Sequence, residues 1–106
     1  MRIIFNQGTP VPIRSYLELH TVRTAAQQGW DRLTNGELLT AAEEAGFDLL
    51  LTTDKNMRYQ QNLAGQRIAI LELSTNDIDQ IRAAASLIQS ALIEIKPNEL
   101  RRVNIP

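Results

Sequence analysis

Two small polar residues each follow directly after an apolar run of this chain. Asn6 comes after the run Arg2–Phe5, and Asp54 comes after the run Leu49–Thr53. Short, continuous apolar runs are typical of strands buried in a parallel sheet. Open α/β folds bind their ligands beyond the carboxyl ends of neighbouring strands. The sequence therefore predicts a polar cleft that contains Asn6 and Asp54 and suits a metal ion or a phosphate.

Two further oxygen donors stand near these positions. Glu37 lies in the pattern Thr34-x-x-Glu37, which fits a helix capping box, but that helix should begin at the same sheet edge, where Glu37 could also bind a metal. Asn56 follows Asp54 by two residues, and Asp54 itself could form an N-cap or an Asx turn. Mg²⁺ takes oxygen ligands, often one or two carboxylates completed by water. Structural and metal-binding roles both stay open for these residues.

Basic and aromatic side chains follow the candidate site. Lys55 or Arg58 could contact a phosphate, and Tyr59 could stack on a base, although a solvated helix surface explains the same residues. Eleven Lys and Arg residues against twelve Asp and Glu residues give a net charge of −1. This balance excludes a general electrostatic attraction to nucleic acid, so any contact with nucleic acid must be local.

Length and composition restrict the class of protein. A chain of 106 residues with 43% hydrophobic residues is expected to form a single domain over residues 1–106 with its own core. The absence of cysteine excludes disulfides, thiol catalysis and cysteine zinc sites, and one histidine leaves little for an imidazole zinc site. The beginning of the chain has no long apolar segment, which indicates a soluble, cytoplasmic protein without a membrane span.

Apolar runs alternate with helical patterns along the chain. The predicted strands are residues 2–5, 20–24, 48–53 and 67–73. The predicted helices begin near Val11, at Asn35 and at Asn56, and a long final helix carries an apolar stripe from Ile78 to Ile95. We expect an α/β fold with a short parallel sheet of about four strands in the order 2-1-3-4 and helices on both faces. In that order Asn6 and Asp54 meet where the strand connections diverge.

Three segments of this frame resemble a known family. They are residues 3–10 at the first strand, residues 33–38 at the middle helix and residues 51–56 at the third strand. Together, in this order and spacing, they are similar to the small PIN-like domains, a group of predicted nucleases related to the VapC-type toxins of toxin-antitoxin pairs. The resemblance spans nearly the whole chain.

The resemblance implies a metal-dependent endoribonuclease that uses Mg²⁺ or Mn²⁺, acts on RNA and is blocked by a cognate antitoxin protein. It also allows a homodimer, because PIN-like proteins often dimerise. Glu37 and Asp54 match acidic positions of the family, and Asn56 stands where many relatives have a second Asp. Asn6 stands where the family has its first Asp. The implied metal ligands are thus Asn6, Glu37, Asp54 and Asn56, with Asn6, Glu37 and Asp54 as the catalytic set and Lys55, Arg58 and Tyr59 as substrate contacts.

An amide at residue 6 removes one negative charge from a site that would hold its cation largely by charge. Asn6 is either natural, in a degenerate member, or a deliberate substitution that allows a toxic protein to be produced. The first hypothesis is therefore a weakened or inactive ribonuclease. The second is a catalytically silent module that acts through a partner antitoxin, with the stripe Ile78–Ile95 or the basic tail Arg101–Arg102 as its surface of association.

Overall fold

A parallel β-sheet forms the centre of the molecule. The structure is a computed structural model, and it describes residues 1–57 and 66–106. The strands are β1 (Arg2–Phe5), β2 (Thr21–Thr24), β3 (Leu49–Thr52), β4 (Ala69–Leu73) and β5 (Leu100–Val103). The helices are a 3₁₀ helix (Val11–Tyr16), α1 (Asn35–Glu44), α2 (Ile78–Ala83) and α3 (Ala85–Glu94).

The strand order of the described sheet is β2-β1-β3-β4-β5, and every neighbouring pair is parallel. The α/β class and the relative order of the first four strands are confirmed. The described sheet has five strands and not about four as expected. The additional strand is β5, which contains Arg101 and Arg102, the residues predicted to form a basic tail. Each is held there by a carboxylate, as described below, so both arginines are part of the sheet.

Helices cover both faces of this sheet, as predicted. Ile4, Leu50 and Ile70 face α1 and pack with its buried residues Leu38 and Leu39. The opposite face packs against the 3₁₀ helix, α2 and α3 through the buried side chains of Ile13, Ile81, Ile88 and Leu92. Side chains alternate between the faces of a strand, so a polar residue two positions beyond a core residue shares its face.

The predicted long final helix is divided in two. Ala84 leaves helical geometry with φ −111° and ψ 20°, and its amide bonds to Ile81 O and Arg82 O, which ends α2 before α3 begins. The apolar stripe nevertheless continues across the break, since Ile81 and Ile88 are both fully buried against the sheet. At these positions the stripe therefore packs against the sheet and forms part of the core.

The remaining predicted helices have mixed outcomes. The segment at Val11 is a 3₁₀ helix, and Pro12 lies in its first turn, where the missing amide donor is tolerated. The predicted helix over residues 56–63 lies mostly outside the described residues. In the described part of the chain, no helix has both the length and the apolar character needed to cross a bilayer.

Candidate functional site

The carboxyl ends of β1 and β3 lie side by side in the middle of the sheet. Asn6 continues the pairing of these strands, because its amide donates to Leu51 O at 2.9 Å. The chain leaves β1 toward β2 on one side and leaves β3 toward β4 on the other side. A crevice opens at such a switch point in open α/β sheets. The two neighbouring strand ends proposed from the sequence are thus adjacent.

Thr52, the last residue of β3, connects these strand ends. Its side chain is fully buried, and its hydroxyl oxygen accepts hydrogen bonds from Asn6 Nδ2 and from the Asp54 amide, each at 3.0 Å. Buried polar atoms normally have such partners, because an unmet hydrogen bond is costly. One hydroxyl therefore fixes the relative positions of Asn6 and Asp54.

Asp54 is held by both of its carboxylate oxygens. Oδ1 accepts from the Asn56 amide at 2.9 Å, which is the Asx turn considered from the sequence, and Oδ2 accepts from Asn35 Nδ2 at 3.0 Å. Asn35 is the first residue of α1, so the helix begins in contact with the end of β3. A carboxylate offers about four lone-pair directions, and these two bonds leave capacity for another ligand.

Asn6 uses both ends of its amide. Nδ2 donates to Thr52, and Oδ1 accepts from the Gln7 amide at 2.9 Å. The turn that follows is closed by a bond from the Thr9 amide to Asn6 O at 3.1 Å. Thr9 is itself buried, and its hydroxyl donates to Leu51 O at 3.2 Å. The structure thus gives Asn6 a defined local role that does not depend on a ligand.

Glu37 forms the capping box predicted from its spacing. Its Oε1 accepts from the Thr34 amide at 2.9 Å, and Thr34 Oγ1 accepts from the Glu37 amide at 3.2 Å. The bond from the Thr34 amide, followed by the interaction with the Thr34 side chain, lowers the pKa of Glu37. Glu37 is exposed and lies in the first turn of α1, near Asn35 but engaged with its own helix end.

Of the other residues predicted to bind metal or substrate, two lie beside Asp54 and two lie outside the described part of the chain. Lys55 and Asn56 are exposed beside Asp54, and Asn56 contributes its backbone amide to the Asx turn. Arg58 and Tyr59, predicted as substrate contacts, lie outside the described residues. The structure therefore brings Asn6, Asp54 and Asn56 together around the strand ends.

A second charged pair at this edge was missed in the sequence. Thr52 aligns with Glu72 of β4, and Glu72 aligns with Arg102 of β5. Together with Asn6 they form a line across the sheet, here named the polar row: Asn6, Thr52, Glu72 and Arg102. Glu72 is fully buried, and its Oε2 lies 3.5 Å from Arg102 Nε. The signal in the sequence was a lone glutamate inside the apolar run Ile68–Leu73, a position that burial makes costly without a cationic partner.

The donor set of the cleft limits the metal that it could hold. Residues 1–57 and 66–106 contain no group of three or more His, Cys, Asp or Glu side chains placed to share an ion. Asp54 with the amide oxygen of Asn6 is compatible with a divalent ion that keeps most of its water, as Mg²⁺ commonly does. The described residues of the cleft thus do not form a complete protein cage for a metal ion.

Comparisons with protein-family models, with curated proteins and with solved structures found no significant match to this chain. The geometry of the strand ends is therefore the observation from which a function can be proposed.

Proposed function

We propose that this chain is a PIN-like domain and a metal-dependent endoribonuclease of the toxin-antitoxin type, with activity weakened by Asn6. The single observation that supports this proposal is the link from Asn6 through Thr52 to Asp54 at the switch point of the sheet. The ends of two neighbouring parallel strands provide an open edge where a phosphodiester can approach a carboxylate.

Each residue of the site has a role in this proposal. Asp54 holds Mg²⁺ or Mn²⁺ through its carboxylate, which Asn35 and the Asn56 amide orient. A bound divalent ion supplies an activated water and neutralises charge that develops on the phosphate. Asn6 offers a neutral oxygen in place of a second carboxylate. Glu37 is directed toward its own helix end by the bond from the Thr34 amide to Oε1, so we place it as an outer, auxiliary carboxylate.

The substitution Asn6→Asp tests this assignment. Thr52 can accommodate the change, because its hydroxyl can donate to a carboxylate oxygen where it now accepts from the amide of Asn6. A second carboxylate beside Asp54 should tighten Mg²⁺ binding by about tenfold or more, since the attraction between opposite charges a few ångströms apart exceeds ~1 kcal/mol even in water. We expect Asn6→Asp to cleave RNA in Mg²⁺ or Mn²⁺ more rapidly than the unchanged chain.

The matched control is Asn6→Asp combined with Asp54→Asn, which keeps the net charge of the original chain and moves the carboxylate to the other strand end. Cleavage of single-stranded and structured RNA, and Mg²⁺ affinity by calorimetry, should be measured for all three proteins. The double variant should show neither the faster RNA cleavage nor the tighter Mg²⁺ binding that is expected of Asn6→Asp alone. Absence of RNA cleavage by both the original chain and Asn6→Asp in either metal would show that the enzymatic proposal is wrong.

A second candidate function is a catalytically silent module that acts through a partner antitoxin protein. The observation in its favour is that both ends of the Asn6 amide are used, toward Thr52 and Gln7, as in a residue selected to be neutral. In that case Asn6→Asp gains no cleavage activity and loses stability, measurable by thermal unfolding. The chain should also copurify with the product of an adjacent short reading frame when the two are expressed together.

A further inference from the structure

We infer that Arg102 binds a phosphate of the RNA strand at the carboxyl edge of the sheet, with the buried carboxylate of Glu72 holding its guanidinium in position. This inference rests on the proposed function and extends the substrate site from β3 across β4 to β5. It assigns a role to the outer half of the polar row, which the strand-end site of Asn6 and Asp54 does not use.

Arg102 differs from its neighbour Arg101 in how its charge is used. Arg101 is committed to two carboxylates, with Nε 2.7 Å from Glu99 and Nη1 2.9 Å from Glu94. Arg102 reaches Glu72 through Nε only, at 3.5 Å. Among residues 1–57 and 66–106, no other acidic group pairs with Arg102, and about a third of its side chain (32%) is exposed. Its terminal nitrogens therefore remain able to bind an anion.

The sheet register places Arg102 on the same side as the candidate site. Leu100 packs with the core under α1, and Arg102 is two residues further along β5, so it shares that face with Thr52 and Glu72. Neighbouring strands are about 4.8 Å apart, which puts β5 roughly 10 Å from β3. At that distance Arg102 contacts a different phosphate from the one beside Asp54.

The chemistry of the pair suits a phosphate diester. A guanidinium binds phosphate through two parallel N–H donors, and it remains charged at every physiological pH. Glu72 is fully buried, and its ion pair with the Nε end of the group, at 3.5 Å, favours one orientation of the guanidinium, which lowers the entropy lost when the terminal nitrogens bind. Glu72 is thus a positioning residue, and Arg102 is the residue that contacts the substrate.

The test measures RNA affinity without metal, so that cleavage does not interfere. A short fluorescein-labelled single-stranded RNA is titrated in EDTA with the full chain, and binding is followed by anisotropy at several salt concentrations. The main variant combines Glu72→Gln with Arg102→Gln, because Arg102→Gln alone removes a positive charge beside a buried carboxylate and threatens folding. The matched control combines Glu99→Gln with Arg101→Gln. Both double variants keep the net charge of the chain.

We expect the Glu72→Gln, Arg102→Gln chain to bind RNA about tenfold more weakly, as the loss of a charge-assisted contact implies. Its salt slope, log K against log salt, should be shallower by about 0.7, the value for one phosphate contact on a single strand. The Glu99→Gln, Arg101→Gln chain should keep the original affinity. Glu72→Gln alone should also weaken binding, whereas a carboxylate that merely repels RNA would strengthen it when neutralised.

Two failures of the test have different meanings. If the original chain binds RNA and the Glu72→Gln, Arg102→Gln chain binds it equally well, the role of Arg102 is wrong while the proposed ribonuclease stands. If the original chain binds no RNA at any salt concentration, the proposed function is wrong, and the role of Arg102 falls with it. Circular dichroism of each variant confirms that the comparison is between folded proteins.

Discussion

Replacing Thr52 by Val removes the hydroxyl that joins the ends of β1 and β3. Valine has nearly the same shape as threonine, so the substitution leaves no cavity in a site where the side chain is fully buried. What disappears are two hydrogen bonds, from Asn6 Nδ2 and from the Asp54 amide, each 3.0 Å long. The change therefore measures the energy of this link without altering packing.

The magnitude follows from these two bonds. A typical intramolecular hydrogen bond contributes about 0.5–1.5 kcal/mol, so the loss of both lowers the free energy of unfolding by about 1–3 kcal/mol. The added methyl group returns roughly 0.8 kcal/mol through burial of apolar surface. Since both donors are partly buried, water can replace only some of what they lose. We expect a net destabilisation of about 1–2 kcal/mol.

Urea unfolding followed by far-ultraviolet circular dichroism provides the measurement, with Thr53→Val as the control. Thr53 is half-buried immediately after the same strand, and its side chain makes no hydrogen bond within the described part of the chain. Thr53→Val should change the free energy of unfolding by less than about 0.5 kcal/mol. If Thr52→Val proves as stable as Thr53→Val, the link between the strand ends does not hold the site together and this reasoning is refuted.

Two further predictions concern the helices. At a pH above the ordinary glutamate pKa, the chain should be more stable than its Glu37→Gln variant. This difference in stability should disappear as the pH falls through the lowered pKa of Glu37 in the folded state. Thermal unfolding at several pH values provides the measurement, and a difference that stays constant with pH would contradict the prediction. Ile88→Ala should cost about 2–5 kcal/mol in urea unfolding because Ile88 is fully buried, whereas Ile93→Ala, at a site 85% exposed, should cost less than about 0.5 kcal/mol.

The elements that carry a strong periodic signal could be predicted from the sequence. β1 and β3 are short apolar runs whose residues are buried on both faces, and the Thr34 and Glu37 pair specifies the start of α1 by its own chemistry. The adjacency of Asn6 and Asp54 follows from strand order. Thr52 was part of an apolar run, so its hydrogen bonds to both residues needed coordinates to be seen.

The missed features depend on how the elements pack against one another. β5 has two arginines in succession, and neither propensity nor alternation indicates a strand there, because the carboxylates that compensate them come from Glu72, Glu94 and Glu99. The division of the final helix falls at Ala84, where alanine itself favours a continuous helix. Tertiary packing determines both features, so a local sequence pattern does not predict them.

The position of β1 inside the sheet has a consequence for how the chain reaches its native state. Arg2 pairs with Thr21 on one side, but Ile3 pairs on the other side with Leu49, far along the chain. Such non-local pairings require a long loop to close, so the chain loses conformational entropy before the stabilising contacts form. Parallel sheets therefore form slowly. Until β3 arrives, an apolar strand with unmet backbone groups is open to intermolecular association. We expect refolding yield to fall as protein concentration rises.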